Sequence, residues 1–544
     1  MDRDRRTGFI WGAALAGIVL LALALRLKGI HDPLLDHPAW RQGDTASIAR
    51  NFYRLNDNIL YPQTNYDGPP PNYVELELQL VPYLAAQVYK VVGVHPVVGR
   101  LITIGFSVAT VALLAFFGRW LFADALAGLV AAAAYAVFPG SVYYGRTFTP
   151  DTAMVFFLTA ALYAAARLLV EDERLAPRNL ARSTALLTLA YLAKPVALCG
   201  LPAVVAMIAD RIRTARTVRP TAVAVLIAVP LVILWAYDRA VASHAEWHWA
   251  SGIVRIHVLP ALHAAFTSPA GFVQKAVQFK VVLGMLAHTM IGLPGAAAAL
   301  VGACCIPWLR ARSGTLLLWW LIGGLAYVYV VVTVERVDYY MYPLVPLAAL
   351  LVGGLAARLV RAAEQHPRYP ATLRRAAIAG IALFLLTALV QGQAAVAGYY
   401  RYSAAAYRRA VALDRMLPRN ALVVMGYQGP DILYYIDRYG WEEDPYLWTP
   451  FDEESAIRKG ARYFIDILDN RFRKNLELCA WMQRFPVLDA RAAWPVYVTD
   501  PALVTPRARA FWRAFRAAER KGKGREFLDA RGLCTARIAV SGKR

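Results

Sequence analysis

Charge is scarce in this 544-residue chain. Only 18% of residues are Asp, Glu, Lys or Arg, against roughly 25% in a soluble globular protein. Acids are the scarcer sign, 37 against 59 Lys and Arg, for a net charge of +22. With 58% hydrophobic residues and a mean hydropathy of +0.40, a disordered chain is excluded and an ordinary soluble enzyme is disfavoured. Cysteine is sparse as well: five residues with no repeating metal-ligand spacing, which excludes a small disulfide scaffold. The string HAEWHW (His244 to Trp249) lacks the HExxH order of a zinc site, and no metal ligand set is assigned. The basic excess is dispersed over short loops and carries no nucleic-acid-binding motif, so nucleic acid is not an expected partner. No repeat relates the two halves.

What the chain has in abundance is apolar runs. A helix crossing a hydrocarbon core of about 30 Å needs roughly 20 apolar residues. Eleven candidate spans are expected, at about 9–27, 97–118, 124–140, 152–170, 183–194, 195–209, 220–237, 281–309, 314–334, 339–358 and 376–396. The fifth and sixth are short and split by Lys194-Pro195. Alternate loops carry the arginines: Arg3, Arg5 and Arg6; Arg119; Arg174, Arg178 and Arg182; Arg211, Arg213, Arg216 and Arg219; Arg310 and Arg312; and Arg358 to Arg375. By the positive-inside rule these loops and the N-terminus face the cytoplasm. An odd number of spans then puts the C-terminus outside.

Two domains are expected. Residues 1–397 form the membrane domain, including outward loops 29–96 and 238–280. Residues 398–544, with 26 Lys and Arg, 17 Asp and Glu and no run long enough to span, form a small extracytoplasmic α/β domain. Strands are expected at Ala421–Met425 and in ARYFIDIL, with a helix after the first. Cys479 and Cys534 lie in this domain, where an oxidising compartment permits a disulfide; spacing alone does not show that they meet.

Polar residues concentrate in the outward loops. Asp44 precedes the helix-like run TASIARNFY and suits an N-cap; packed with Arg41, Gln42 and Arg50, it also suits a carboxylate kept ionised as a base or ligand. Glu75 and Glu77 open an amphipathic segment expected to lie at the interface; their acids suit water or a helix N-terminus equally. Asp151 starts a helix after Thr149-Pro150 and lies five residues from Arg146. Lys194 is either a snorkelling lysine or a phosphate-binding cation. Arg255, Lys275 and Lys280 are available for a lipid phosphate. Trp247 and Trp249 suit an aromatic belt or a sugar-stacking surface. Tyr339, Tyr340 and Tyr342 begin the tenth span behind Glu335, Arg336 and Asp338.

Taken in order, Asp44 in the first outward loop, the PDT at 150–152, Lys194-Pro195 and the YY…P..P at 339–346 resemble polyprenyl-phosphate-dependent glycosyltransferases of the C-type membrane fold. The closest group is similar to glycosyltransferase family 39, which holds protein O-mannosyltransferases and the aminoarabinose transferase of lipid A. The resemblance implies Asp44, Asp151 and Glu77 as catalytic residues, with Arg41, Arg146, Lys194, Arg255, Lys275, Tyr339 and Tyr340 on the substrates. It also implies Asp44 and Asp151 meeting beside a lipid-accessible hollow. Two departures stand out: Thr45 follows Asp44 where the family often has Glu, and Asp338 stands where His is common. The implied function is inverting transfer of a sugar from a polyprenyl-phosphate donor to an extracytoplasmic lipid, glycan or protein acceptor at a bacterial inner membrane. No cofactor is implied beyond an optional divalent cation. The alternative from another class is a polytopic transporter or flippase of envelope glycolipids, which would place its charges at the midplane on broken helices.

Overall fold

The computed structural model describes all residues except 1, 215–218, 247, 249–251, 489–492 and 535–544. Arg216, Trp247 and Trp249 therefore lie outside the described residues. The chain divides into two compact units. The first comprises Met1–Asp32, Asn56–Pro62 and Val74–Arg401; the second comprises Pro33–Leu55, Gln63–Tyr73 and Tyr402–Arg544. The expected boundary near 397 lies close to the one at Arg401. The expected outward loop 29–96, however, is shared between the units.

The first unit is helical. Among the described residues nine helices are long and apolar enough to cross a membrane, against the eleven expected: Gly8–Arg26, Pro96–Phe122, Asp151–Val170, Pro195–Arg213, Pro220–Ala242, Pro269–Met290, Gly314–Glu335, Asp338–Glu364 and Pro370–Ala395. Two expected runs form helices too short to count among the nine: 183–194 lies in the 17-residue helix Pro177–Ala193, and the other is 124–140. The run at 124–140 yields a helix of 13 residues, Ala125–Val137, closed by Phe138-Pro139. The run at 281–309 is cut at Gly292, whose φ of +81° suits glycine. Its first part belongs to Pro269–Met290, a span reaching into what was expected to be outward loop 238–280. Ser268 starts that span by accepting a hydrogen bond from Gly271 N at 3.0 Å, with Pro269 in its first turn. Lys275 and Lys280 give this apolar stretch the look of a loop.

Small residues let three helices of this unit pack closely. A Cβ at Gly128 would lie 2.2 Å from Ala115 O, and one at Gly353 would lie 2.4 Å from Ala127 O. Backbone approach of this kind is how helices associate in lipid. Among the described residues three arginines are fully buried within the unit. Arg26 donates to Ser107 Oγ at 2.7 Å, Ser141 Oγ at 2.6 Å and Ala22 O at 2.9 Å. Arg100 and Arg146 donate to Gly29 O at 2.9 and 3.1 Å, holding the turn that leaves the first span.

The second unit is built on a four-stranded sheet in the order β2-β1-β3-β4, where β1 is Leu422–Met425, β2 Tyr439–Glu442, β3 Ala461–Ile465 and β4 Val496–Val498. β1 pairs in parallel with β2 and β3, and β4 is antiparallel to β3. β1 and β3 match the expected strands. The short strands YGWE and VYV have too few apolar residues to announce themselves. The early segments are woven into this unit: Gly68 N donates to Gly440 O at 2.8 Å and Gly440 N to Asn65 O at 3.1 Å. Gly440 tolerates no side chain, since a Cβ would meet Val423 O at 1.8 Å. A disulfide joins Cys479 and Cys534, their Cα atoms 6.1 Å apart.

Candidate functional site

In the second unit, Asp44 lies inside helix Ala39–Arg54, which begins at Pro38. It is not an N-cap. Twelve consecutive residues of this helix, Arg41 to Phe52, are buried, so its polar side chains are held by the unit's own groups. Arg41 Nη1 pairs with Asp44 Oδ2 at 2.8 Å, and Tyr66 OH donates to Asp44 Oδ1 at 3.1 Å. Gln42 donates to Asp36 Oδ1 at 2.7 Å, and Arg50 pairs with Asp437 at 2.7 Å. Gly43 lets the helix touch residues 430–436, because a Cβ there would meet Asp431 Cα at 2.4 Å.

Carboxyls gather around Asp44. Burial, with Asp67, Glu443, Asp431 and Asp44 nearby, pushes the Glu442 carboxyl up to about 9. Burial raises Asp431 to about 6, and burial with Asp67 close by raises Glu443 to about 7. Glu442 is therefore neutral at pH 7. Burial and Asp44 together push the Tyr66 phenol well above its usual value, so it stays a donor. None of these acids stands out in the sequence; their meeting depends on the pairing of β2 with Asn65 and Gly68.

In the first unit, Asp151 opens helix Asp151–Val170. Its side chain caps nothing. Instead Asp151 Oδ1 accepts from Lys194 Nζ at 2.6 Å, with both side chains buried. The Lys194 ammonium lies 5.3 Å from the Tyr339 ring and 4.7 Å from the Tyr340 ring. Four of the residues expected at the site thus come together. Lys194 gets there because helix Pro177–Ala193 ends at an extended Lys194 before the 3₁₀ turn Pro195–Gly200. Asp151 Oδ2 is buried and has no hydrogen-bond partner among the described residues.

The other expected residues are placed differently. Glu75 is 2% exposed and accepts from His248 Nδ1 at 2.7 Å, while Glu77 is half-buried. Glu75 is the more buried of the two acids. Arg146 holds the Gly29 carbonyl and lies over the Tyr143 and Tyr400 rings. Arg255 is exposed on the π-helical turn Ile253–Val258. Asp338 accepts from Tyr144, Tyr399 and Thr289, which makes it a buried anchor for hydroxyls. Among the described residues no three His, Cys, Asp or Glu side chains gather to hold a metal ion. At Asp151 the positive charge is supplied by Lys194.

The family described as Dolichyl-phosphate-mannose-protein mannosyltransferase matches residues 79–237. No curated protein sequence matches the chain. Among solved structures, ArnT from Cupriavidus metallidurans bound to undecaprenyl phosphate is similar at 15% identity and a TM-score of 0.60, covering 92% of this chain and 99% of that one. The Archaeoglobus fulgidus oligosaccharyltransferase in the apo form is similar at 12% identity and 0.55, covering 86% of this chain and 71% of that one. The archaeal oligosaccharyltransferase AglB from Archaeoglobus fulgidus, in complex with an inhibitory peptide and a dolichol-phosphate, is similar at 12% identity and 0.54, covering 92% of this chain and 75% of that one. The likeness establishes the C-type membrane glycosyltransferase fold with a small C-terminal sheet domain, and the chain is a multi-pass membrane protein.

Proposed function

We propose that the chain transfers a sugar from a polyprenyl-phosphate donor to an acceptor, with Asp44 as general base and inversion at the sugar. The observation that carries this is the buried Asp44–Arg41 pair in a chain of this fold. The pair keeps Asp44 ionised. Arg41 and Tyr66 each address one oxygen of Asp44, and a carboxylate of this kind can take an acceptor proton. In the step, the acceptor oxygen or nitrogen bonds to the anomeric carbon, its proton passes to Asp44, and the carbon–oxygen bond to phosphate breaks. Polyprenyl phosphate departs with the electron pair.

The leaving phosphate needs positive charge. Lys194, steered by Asp151 and backed by two tyrosine rings, suits that part, and the free Oδ2 of Asp151 suits a sugar hydroxyl. Glu77, Arg41, Arg146 and Arg255 are secondary candidates for substrate contact. ArnT bound to undecaprenyl phosphate and AglB bound to dolichol-phosphate support a lipid-linked donor. The bacterial inner membrane, a cytoplasmic N-terminus and an extracytoplasmic second unit are read from the arginine-rich loops; the Cys479–Cys534 disulfide fits an oxidising side. The test is incubation of purified protein with labelled polyprenyl-phosphate sugars and envelope fractions. Label should enter one acceptor fraction with wild type and not with Asp44→Asn. Near-normal turnover by that variant would remove Asp44 from the base role, and movement of intact donor across vesicles without transfer would favour a flippase.

A further inference from the structure

The first unit also buries a lysine at a cavity whose lining includes neither Asp151, Lys194, Tyr339 nor Tyr340. A cavity of about 200 Å³ is lined by Gln274, Lys275, Gln278, Thr333 and Arg336, with Ala264 among its apolar walls. That volume is far above the about 10–15 Å³ that one water needs. Lys275 is 4% exposed although it sits in the apolar span Pro269–Met290. Its Nζ reaches only the Val330 carbonyl, at 3.3 Å, and lies 5.5 Å from the Tyr329 ring. Among the described residues no carboxylate pairs with Lys275 or Arg336. The nearest acid in sequence, Glu335, is engaged by His257 at 3.0 Å.

An ammonium buried in a membrane helix without an anion is costly. The cavity supplies what would repay it: two cations and two primary amides facing one space, a donor set for the several acceptor oxygens of a phosphate, while the Thr333 hydroxyl donates to Tyr329 O at 2.6 Å. Its surroundings point to an apolar carrier. Phe266, Phe272, Val273 and Val277 on the flanking helices are 81%, 59%, 59% and 53% exposed, a greasy flank of the sort that meets lipid chains.

We propose that this cavity binds the phosphate of a lipid at the membrane rim, with Lys275 and Arg336 as its cationic contacts. Of the three cations 255, 275 and 280, only Lys275 is buried. The inference rests on that burial and goes beyond the transfer reading, because a chain that transfers nothing would still show the binding. The two lipid sources are a prenyl phosphate and a glycerophospholipid such as phosphatidylglycerol.

The experiment photolabels detergent-purified full-length protein with diazirine-bearing farnesyl phosphate or diazirine-bearing phosphatidylglycerol. Radiolabelled inorganic phosphate serves as a third arm, and the labelled peptides are mapped. Labelling of the segment containing Gly271 to Gln278 is expected with one of the two lipids, and the lipid that succeeds names the source. Lys275→Met and Arg336→Gln should each weaken that labelling at least about tenfold, as expected for losing a charge-assisted contact. Arg336 is exposed, so its variant tests the idea even if Lys275→Met does not fold. Unchanged labelling in both variants, labelling elsewhere only, or binding of inorganic phosphate alone would overturn the proposal. Loss of transfer by Asp44→Asn with intact labelling separates this site from the catalytic reading.

Discussion

The two units neutralise their buried acids in opposite ways. In the first, Asp151 meets Lys194 and the charge is cancelled by an opposite charge backed by aromatic rings. In the second, Asp44 has Arg41, but the carboxyls around it are raised by burial and by one another and so hold protons instead. Neutralisation by raised carboxyls makes the charge of the second unit depend on pH.

Four measurements would break or sharpen that contrast. The largest effect is expected for Asp44→Asn, which should lower transfer about 10²–10⁴-fold, the usual span for a general base, measured per folded molecule because the change also leaves the buried Arg41 unpaired. Next, removing one partner of the buried pair by Lys194→Met or Asp151→Asn should destabilise the first unit by about 3–5 kcal/mol, read by chemical denaturation. The double variant should cost less than the two singles summed, because neither charge is then left alone. Additivity would show that the two are not coupled.

Third, opening the disulfide by Cys479→Ala and Cys534→Ala should cost the second unit up to about 4 kcal/mol, by the entropy of a 55-residue loop. The first unit should keep its helical signal. Last is Glu442→Gln, whose effect vanishes at acid pH. Folded Glu442 holds its proton to about pH 9 while the unfolded carboxyl loses it near 4.5. The folded state therefore binds more protons across that window, and stability falls as pH rises through it. The Gln variant should match wild type near pH 4, where the carboxyl is neutral in both folded and unfolded chains, and melt progressively higher than wild type as pH rises to 9. Parallel pH profiles would remove Glu442 from the proton-holding role.

How much is legible in the sequence depends on the reach of each signal. Long apolar runs and arginine-rich loops act locally, so most spans are placed within a few residues. Lys194, Asp151, Tyr339 and Tyr340 show as polar residues at the ends of such runs, and the structure brings them together. Signals that depend on distant chain segments are silent. Helix Ala39–Arg54 reads as a loop with a late start because its buried face packs on residues 430–442, almost 400 positions away. Glu75 meets His248, 173 residues distant, a contact that no local pattern announces. Arg26 reads only as the end of an apolar run, and its seat between Ser107 and Ser141 leaves no local trace.

The weaving of 33–55 and 63–73 into the second unit bears on biosynthesis. The helix that carries Asp44 leaves the ribosome early, yet its partners begin at Tyr402. At about 5–20 residues per second, a nascent chain waits roughly 20–70 s before those partners exist. Throughout that interval a stretch rich in Arg, Asn and Gln has been delivered without the scaffold that buries it. Premature termination anywhere before Tyr402 therefore yields a product whose membrane helices have inserted but whose proposed base has no settled home.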